Sequence, residues 1–107
     1  MGQTHQVVFA LRSSRDLEAI VRYIAQQSGS EVASQFGARL FEKVLSLKSL
    51  PERGRMVPEV GPPYREIIFR SYRIVYRLSG EVVEILRFWH AARGVPQIDS
   101  DDFGQPH

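Results

Sequence analysis

Six arginines, at positions 65, 70, 73, 77, 87 and 93, fall in the stretch from Tyr64 to Arg93, which holds no lysine. A guanidinium is a planar fork of donors that matches carboxylate and phosphate oxygens. Anion recognition is therefore the first chemistry these residues suggest. The catalytic extension would be metal-free cleavage of a phosphodiester. Arginines such as Arg73 and Arg77 would stabilise the charge that builds on phosphorus, and a Tyr or His would move the proton. Tyr72, Tyr76 and His90 are the side chains in range along the chain. For His90 a structural or partner-contact role outweighs acid–base work. Glu66 and Glu84 alternate with Arg73 and Arg77, so cross-strand ion pairing outweighs a carboxylate dyad.

Other chemistries find no footing. The chain has no cysteine, hence no thiolate site and no disulfide. His5, His90 and His107 share no ligand spacing, so no metal site is expected. Neither GxxxxGK[ST] nor GxGxxG occurs, and no cofactor is implied.

The arginines need a sheet, and the sequence supplies one. Tyr64–Phe69, Tyr72–Leu78 and Val82–His90 are rich in aromatic and β-branched residues and read as strands. Arg70-Ser71 and Ser79-Gly80 read as two-residue turns. This register sets Arg73 opposite Leu86, Val75 opposite Glu84 and Tyr76 opposite Val83. One face then carries Ile67, Phe69, Ile74, Tyr76, Leu78, Val83 and Ile85, a core face. The other carries Glu66, Ile68, Arg73, Val75, Arg77, Glu84, Leu86, Phe88 and His90. That mixed face reads as a partner-binding surface, extended by Arg93. Arg65, Arg87 and Trp89 fall on the core parity, which places them beyond the covered edge or behind a bulge.

Upstream elements read as the support. Gln6–Leu11 is a first strand. A helix follows, capped by Ser13 or Ser14 and running to about Gln27, with Leu17, Ile20, Val21 and Ile24 on one face. A second helix, capped by Ser30, runs to about Ser49 over Ala33, Phe36, Gly37, Leu40, Val44 and Leu47. The short link makes the two an antiparallel hairpin. Leu50–Pro63 (LPERGRMVPEVGPP) reads as a loop without regular structure, whose Arg53 and Arg55 are partner-contact candidates.

At 107 residues the chain is long enough for one core. Residues 1–94 read as a single domain and 95–107 as an acidic, loosely ordered tail. Asp99, Asp101 and Asp102 give this tail a charge of −3 against a chain total of +2, so the body is +5. A basic body favours nucleic acid or an acidic peptide as partner. No stretch has the length of a membrane span.

In this order and spacing, LPERGRMVPE, YRIVYR and the closing WHAAR resemble the ParE/RelE superfamily of bacterial type II toxins over about residues 7 to 94. The resemblance implies an α+β fold: an N-terminal strand and antiparallel helical hairpin packed on a twisted antiparallel β-sheet. It implies a cytoplasmic toxin held by an antitoxin whose C-terminal segment wraps it, and autoregulation through the antitoxin's DNA-binding part. Two activities divide the superfamily. RelE-like members cleave mRNA on the ribosome without a metal; ParE-like members inhibit DNA gyrase. Arg73 matches the middle-strand arginine of the nuclease pattern. Ala91 stands where a later arginine would be, and the Tyr-bearing C-terminal segment has no counterpart. The chain thus resembles the ParE branch more closely, with gyrase as the expected target. The alternatives are a RelE-like ribonuclease and, outside toxins, a nucleic-acid-binding module.

Overall fold

The computed structural model describes residues 4–98. Strand β1 (Gln6–Phe9) leads into helix α1 (Leu11–Ser28), and a single residue, Gly29, separates α1 from α2 (Ser30–Leu45). After a 3₁₀ turn at Ser46–Lys48 come β2 (Arg55–Met56), β3 (Tyr64–Phe69), β4 (Tyr72–Ser79) and β5 (Val82–His90). A second 3₁₀ turn, Ala91–Arg93, closes β5. The sheet order is β1-β5-β4-β3-β2. The β2–β3, β3–β4 and β4–β5 pairs are antiparallel, whereas β1 joins β5 in parallel. The expected α+β architecture is present; the parallel edge strand makes the sheet mixed rather than wholly antiparallel.

Gly29 makes the sharp helix–helix link possible. Its φ of 96° lies where a side chain is disfavoured, and its N–H donates to Ala25 O to finish α1. Gly37 faces α1, where a Cβ would meet Val21 Cγ2 at an ordinary contact distance of 3.8 Å. The helix α1 begins earlier than expected. Ser13 is not its cap: it lies in the first turn, buried, and its hydroxyl donates back to Ala10 O at 2.7 Å.

Phe36, Leu40, Val44 and Leu47 bury one stripe of the second helix and its following turn against Ile67, Ile74, Tyr76, Val83, Ile85 and Phe88 of the sheet. Leu17, Ile20 and Ile24 of α1 pack partly buried on this core. A smaller cluster of Val57, Val75 and Leu86 lies apart, with Ala10, Tyr64 and Ile98 packed on it. Both sheet faces are therefore covered, the second by residues of the loop and of the tail.

Two features of the β4–β5 hairpin correct the expected register. Ser79 pairs Val82, so the turn residues are Gly80 and Glu81, with Gly80 at φ 62°. Near the turn Arg77 therefore faces Glu84, and Leu78 faces Val83. Between Val75 and Tyr76 the register then shifts: Tyr76 faces Ile85, but Val75 faces Arg87. Leu86 is the extra residue of a β-bulge. Beyond it the alternation inverts. Arg87 and Trp89 pass to the face of Val75 and Arg73, while Phe88 and His90 join the helix side.

The loop is also more regular than four prolines suggest. Arg55 and Met56 pair with Glu66 and Arg65 as β2, and Val57 N–H donates to Tyr64 O. Residues 95–98, assigned from sequence to the tail, lie against the sheet. Pro96 is buried, and Ile98 packs on the smaller cluster. The aspartates of the tail lie outside the described residues.

Candidate functional site

The arginines of the sheet are for the most part bound internally. Glu66 on β3, 1% exposed, accepts from Arg73 Nε at 2.7 Å and from Arg55 Nε at 2.8 Å. Arg73 also reaches Glu59, with Nη2 to Oε1 at 2.6 Å and Nη1 to Oε2 at 3.1 Å, and donates to Gly94 O at 3.1 Å. Its guanidinium is thus engaged through all three nitrogens. A buried carboxylate is tolerable only when paired and hydrogen-bonded, and Glu66 meets that condition through two cations. Arg73 is held further above its ordinary pKa by hydrogen bonds to Glu59 and Glu66. Glu59 is lowered from its ordinary 4.5, chiefly by the hydrogen bond from Arg73.

The second pairing spans the fold. Arg87, turned outward by the bulge, grips Asp16 of α1 in two bonds of 2.8 and 3.1 Å and donates to Gln97 O at 2.8 Å. The same carboxylate accepts from Phe88 N–H at 3.1 Å. Nothing local in the sequence marks Asp16 for this role, because its partner lies far along the chain. Arg77 bonds Glu84 at 3.1 Å, the cross-strand pairing that alternation suggested.

Each sequence candidate now has a place. Tyr76, on the core face as expected, is fully buried. Its hydroxyl donates to Pro51 O at 2.8 Å and accepts from Gly54 N–H at 2.9 Å, and burial raises its pKa. Its proton is committed to holding the loop. Leu86 stays on the mixed face but is buried there beneath the loop and Ile98. Phe88 was expected beside it; the bulge sends it into the main core, where it stacks on Phe9 at 6.1 Å. His90 likewise leaves the mixed face, pairs with Tyr72 and meets its ring edge-on at 5.1 Å. Burial raises the Tyr72 pKa. Arg65 lies at the edge of the covered face, donating to Gly54 O at 2.8 Å.

Arg53, Arg55 and Arg93 are exposed. Arg53 donates to Ser46 Oγ at 2.8 Å, and Arg93 lies 3.8 Å over the Trp89 ring. Arg73 brings the loop and the end of β5 together, since it holds both Glu59 and Gly94. On the opposite side, Phe9, Leu17, Val21 and Phe41 line an open groove of about 630 Å³, with Phe41 46% exposed. Among the described residues, no group of three His, Asp or Glu converges as metal ligands, and no helix is long and apolar enough to cross a membrane.

Fold and site together define a small α+β protein whose arginine-rich sheet is clamped by its own carboxylates. Residues 7–95 match the family model described as ParE toxin of type II toxin-antitoxin system, parDE. The chain belongs to this family, a membership that implies an antitoxin partner. It is 33% identical over 91 residues to Toxin RelE1 of Caulobacter vibrioides, covering 81% of this chain and 94% of that one. It is 32% identical over 74 residues to Toxin ParE3 of the same organism, covering 69% of this chain and 74% of that one. A chain of the chromosomal ParDE system from P. aeruginosa shares the fold, with TM-score 0.72, 21% identity, and coverage of 81% of this chain and 96% of that chain.

Proposed function

We propose that this toxin arrests growth in the cytoplasm by inhibiting DNA gyrase, and that its antitoxin relieves the inhibition. The observation that carries the reading is the engagement of Arg73. Its guanidinium bonds Glu59, Glu66 and Gly94 O, so four of its five N–H donors are spent inside the protein and little is left for a phosphorane-like transition state. Tyr76 is equally committed. A protein with these groups spent internally acts through contact surfaces more readily than through phosphodiester chemistry. The exposed arginines Arg53, Arg55 and Arg93 and the groove at Phe41 are the surfaces we assign to partners. The apolar groove suits one face of an amphipathic antitoxin segment, and the exposed arginines suit its acidic residues.

The ribonuclease reading draws on the relative named Toxin RelE1 and on the cations of the loop. It requires Arg73 to exchange its carboxylates for a phosphate, at the cost of leaving Glu66 buried with one partner fewer. Purified toxin added to a gyrase supercoiling reaction distinguishes the two. Inhibition that the antitoxin reverses is expected, with Phe41→Asp toxin still inhibitory but poorly rescued. Full supercoiling at saturating toxin, together with new 5′ ends in translated messages after expression, would replace the gyrase reading with the nuclease one.

A further inference from the structure

A cleft of about 380 Å³ opens between α1 and the ends of β4 and β5, with Arg73 outside its wall. Its wall includes Asp16, Ile20, Tyr23, Tyr72, His90 and Arg93. The first three recur at the i, i+4, i+7 spacing of one helix face. Tyr72 and His90 are a cross-strand pair, and His90 is on this side because of the bulge at Leu86.

The polar groups here are of one kind. Among the described residues, the hydroxyls of Tyr23 and Tyr72 have no hydrogen-bond partner, and no acceptor binds the Arg93 guanidinium. His90 Nδ1 accepts from Ala92 N–H at 3.1 Å, which leaves Nε2 to carry the proton. The one acid in the wall, Asp16, is already neutralised by Arg87 and by Phe88 N–H. The cleft thus presents donors and a cation, with its carboxylate occupied. Arg93 is held in place by the Trp89 ring 3.8 Å away. Tyr23, 59% exposed, offers an aromatic face at the mouth.

We propose that this cleft binds a nucleotide, its phosphate held by Arg93 and His90 and its base stacked on Tyr23. The volume lies within the ~300–1,000 Å³ of small-molecule sites. A carboxylate from an acidic peptide would satisfy the donors but leave the aromatic faces unused. A nucleotide uses both, since any base has a face to stack on. The proposal does not rest on the gyrase reading: it shares only Arg93 with the surfaces assigned to partners and is tested by binding alone.

The full chain is titrated with AMP, adenosine, inorganic phosphate and a tetraglutamate peptide, following the His90 ring and the amides of residues 90–94 by NMR. AMP is expected to shift these signals saturably, with adenosine and phosphate each weaker by about tenfold or more. Tyr23→Ala should weaken AMP roughly tenfold and leave phosphate unchanged. Arg93→Gln should weaken both, whereas Lys48→Ala, which removes a cation elsewhere, should weaken neither. The proposal is overturned by a silent His90 at millimolar AMP, or by AMP binding that neither Tyr23→Ala nor Arg93→Gln affects. It is overturned equally if tetraglutamate binds the cleft in preference to AMP, which would make it a contact for an acidic protein segment.

Discussion

Gly54 owes its identity to its neighbours rather than to its own backbone angles. A Cβ there would lie 2.5 Å from the Tyr76 hydroxyl and 2.7 Å from Glu66 O. Glu66 O is backbone in the sheet, and the Tyr76 ring is fixed in the core. The glycine of LPERG is therefore where the loop touches the sheet, and Gly54 N–H to Tyr76 is the bond made there. Gly54→Ala should destabilise by about 1–3 kcal/mol through overpacking. The opposing gain from a stiffer unfolded chain is only about 0.4–1 kcal/mol. Urea denaturation measures the difference, and an unchanged or raised midpoint would mean that the loop can lift away at no cost. Tyr76→Phe provides the internal check. It leaves Gly54 N–H and Pro51 O without their partner, so its loss should combine less than additively with that of Gly54→Ala.

Much of the sheet was legible one strand at a time, because alternation and β-branched runs are local properties. Tyr64–Phe69 and Val82–His90 have the expected bounds, and Tyr72–Leu78 extends by one residue. The bulge was not legible in position: inserting Leu86 leaves the composition of β5 unchanged and alters only how it pairs. Its trace was the conflict at Arg87 and Trp89, two large polar-tipped side chains on a core parity. The short β2 hid behind its prolines, and the start of α1 was misplaced because a serine that bonds backward looks in sequence like one that caps. Asp16 and Glu59 could not be assigned to Arg87 and Arg73, since long-range pairing has no local signature. The bulge carries a prediction at this scale. Leu86→Ala should cost about 2–5 kcal/mol as a buried large-to-small change. Deleting Leu86 removes the extra residue: Val75 then faces Arg87 without a bulge, Arg87 and Trp89 keep their face and Phe88 stays in the core, so the fold should survive with a loss of the same order. Thermal unfolding followed by circular dichroism should show a cooperative but lowered transition for both variants. No cooperative transition for the deletion would mean that the sheet needs the bulge itself, and not only the faces on which Arg87 and Phe88 stand.

Across the whole molecule, Arg73 joins three segments that are distant in sequence: the loop through Glu59, β3 through Glu66, and the turn after β5 through Gly94 O. The covering of the mixed face depends on this junction, since Val57 and Ile98 lie on the same face. Only one member of it is both accessible and able to titrate in mild acid. Glu59 has a side chain 36% exposed and a pKa below its ordinary 4.5, set first by the hydrogen bond from Arg73. A carboxylate whose folded pKa is depressed contributes stability above its unfolded pKa and loses it as pH falls through the folded value. Glu59→Gln keeps the shape and removes the charge. The stability gap between parent and variant should therefore be constant over about pH 6–8 and narrow as pH drops below 4.5. Solvent and salt screen the pair, so added salt should shrink the same gap at neutral pH. Urea midpoints for both proteins over a pH series, at low and high salt, measure these effects. A gap that persists unchanged to pH 3, or that ignores salt, would show that packing of the loop rather than the Glu59–Arg73 pair holds the cover in place.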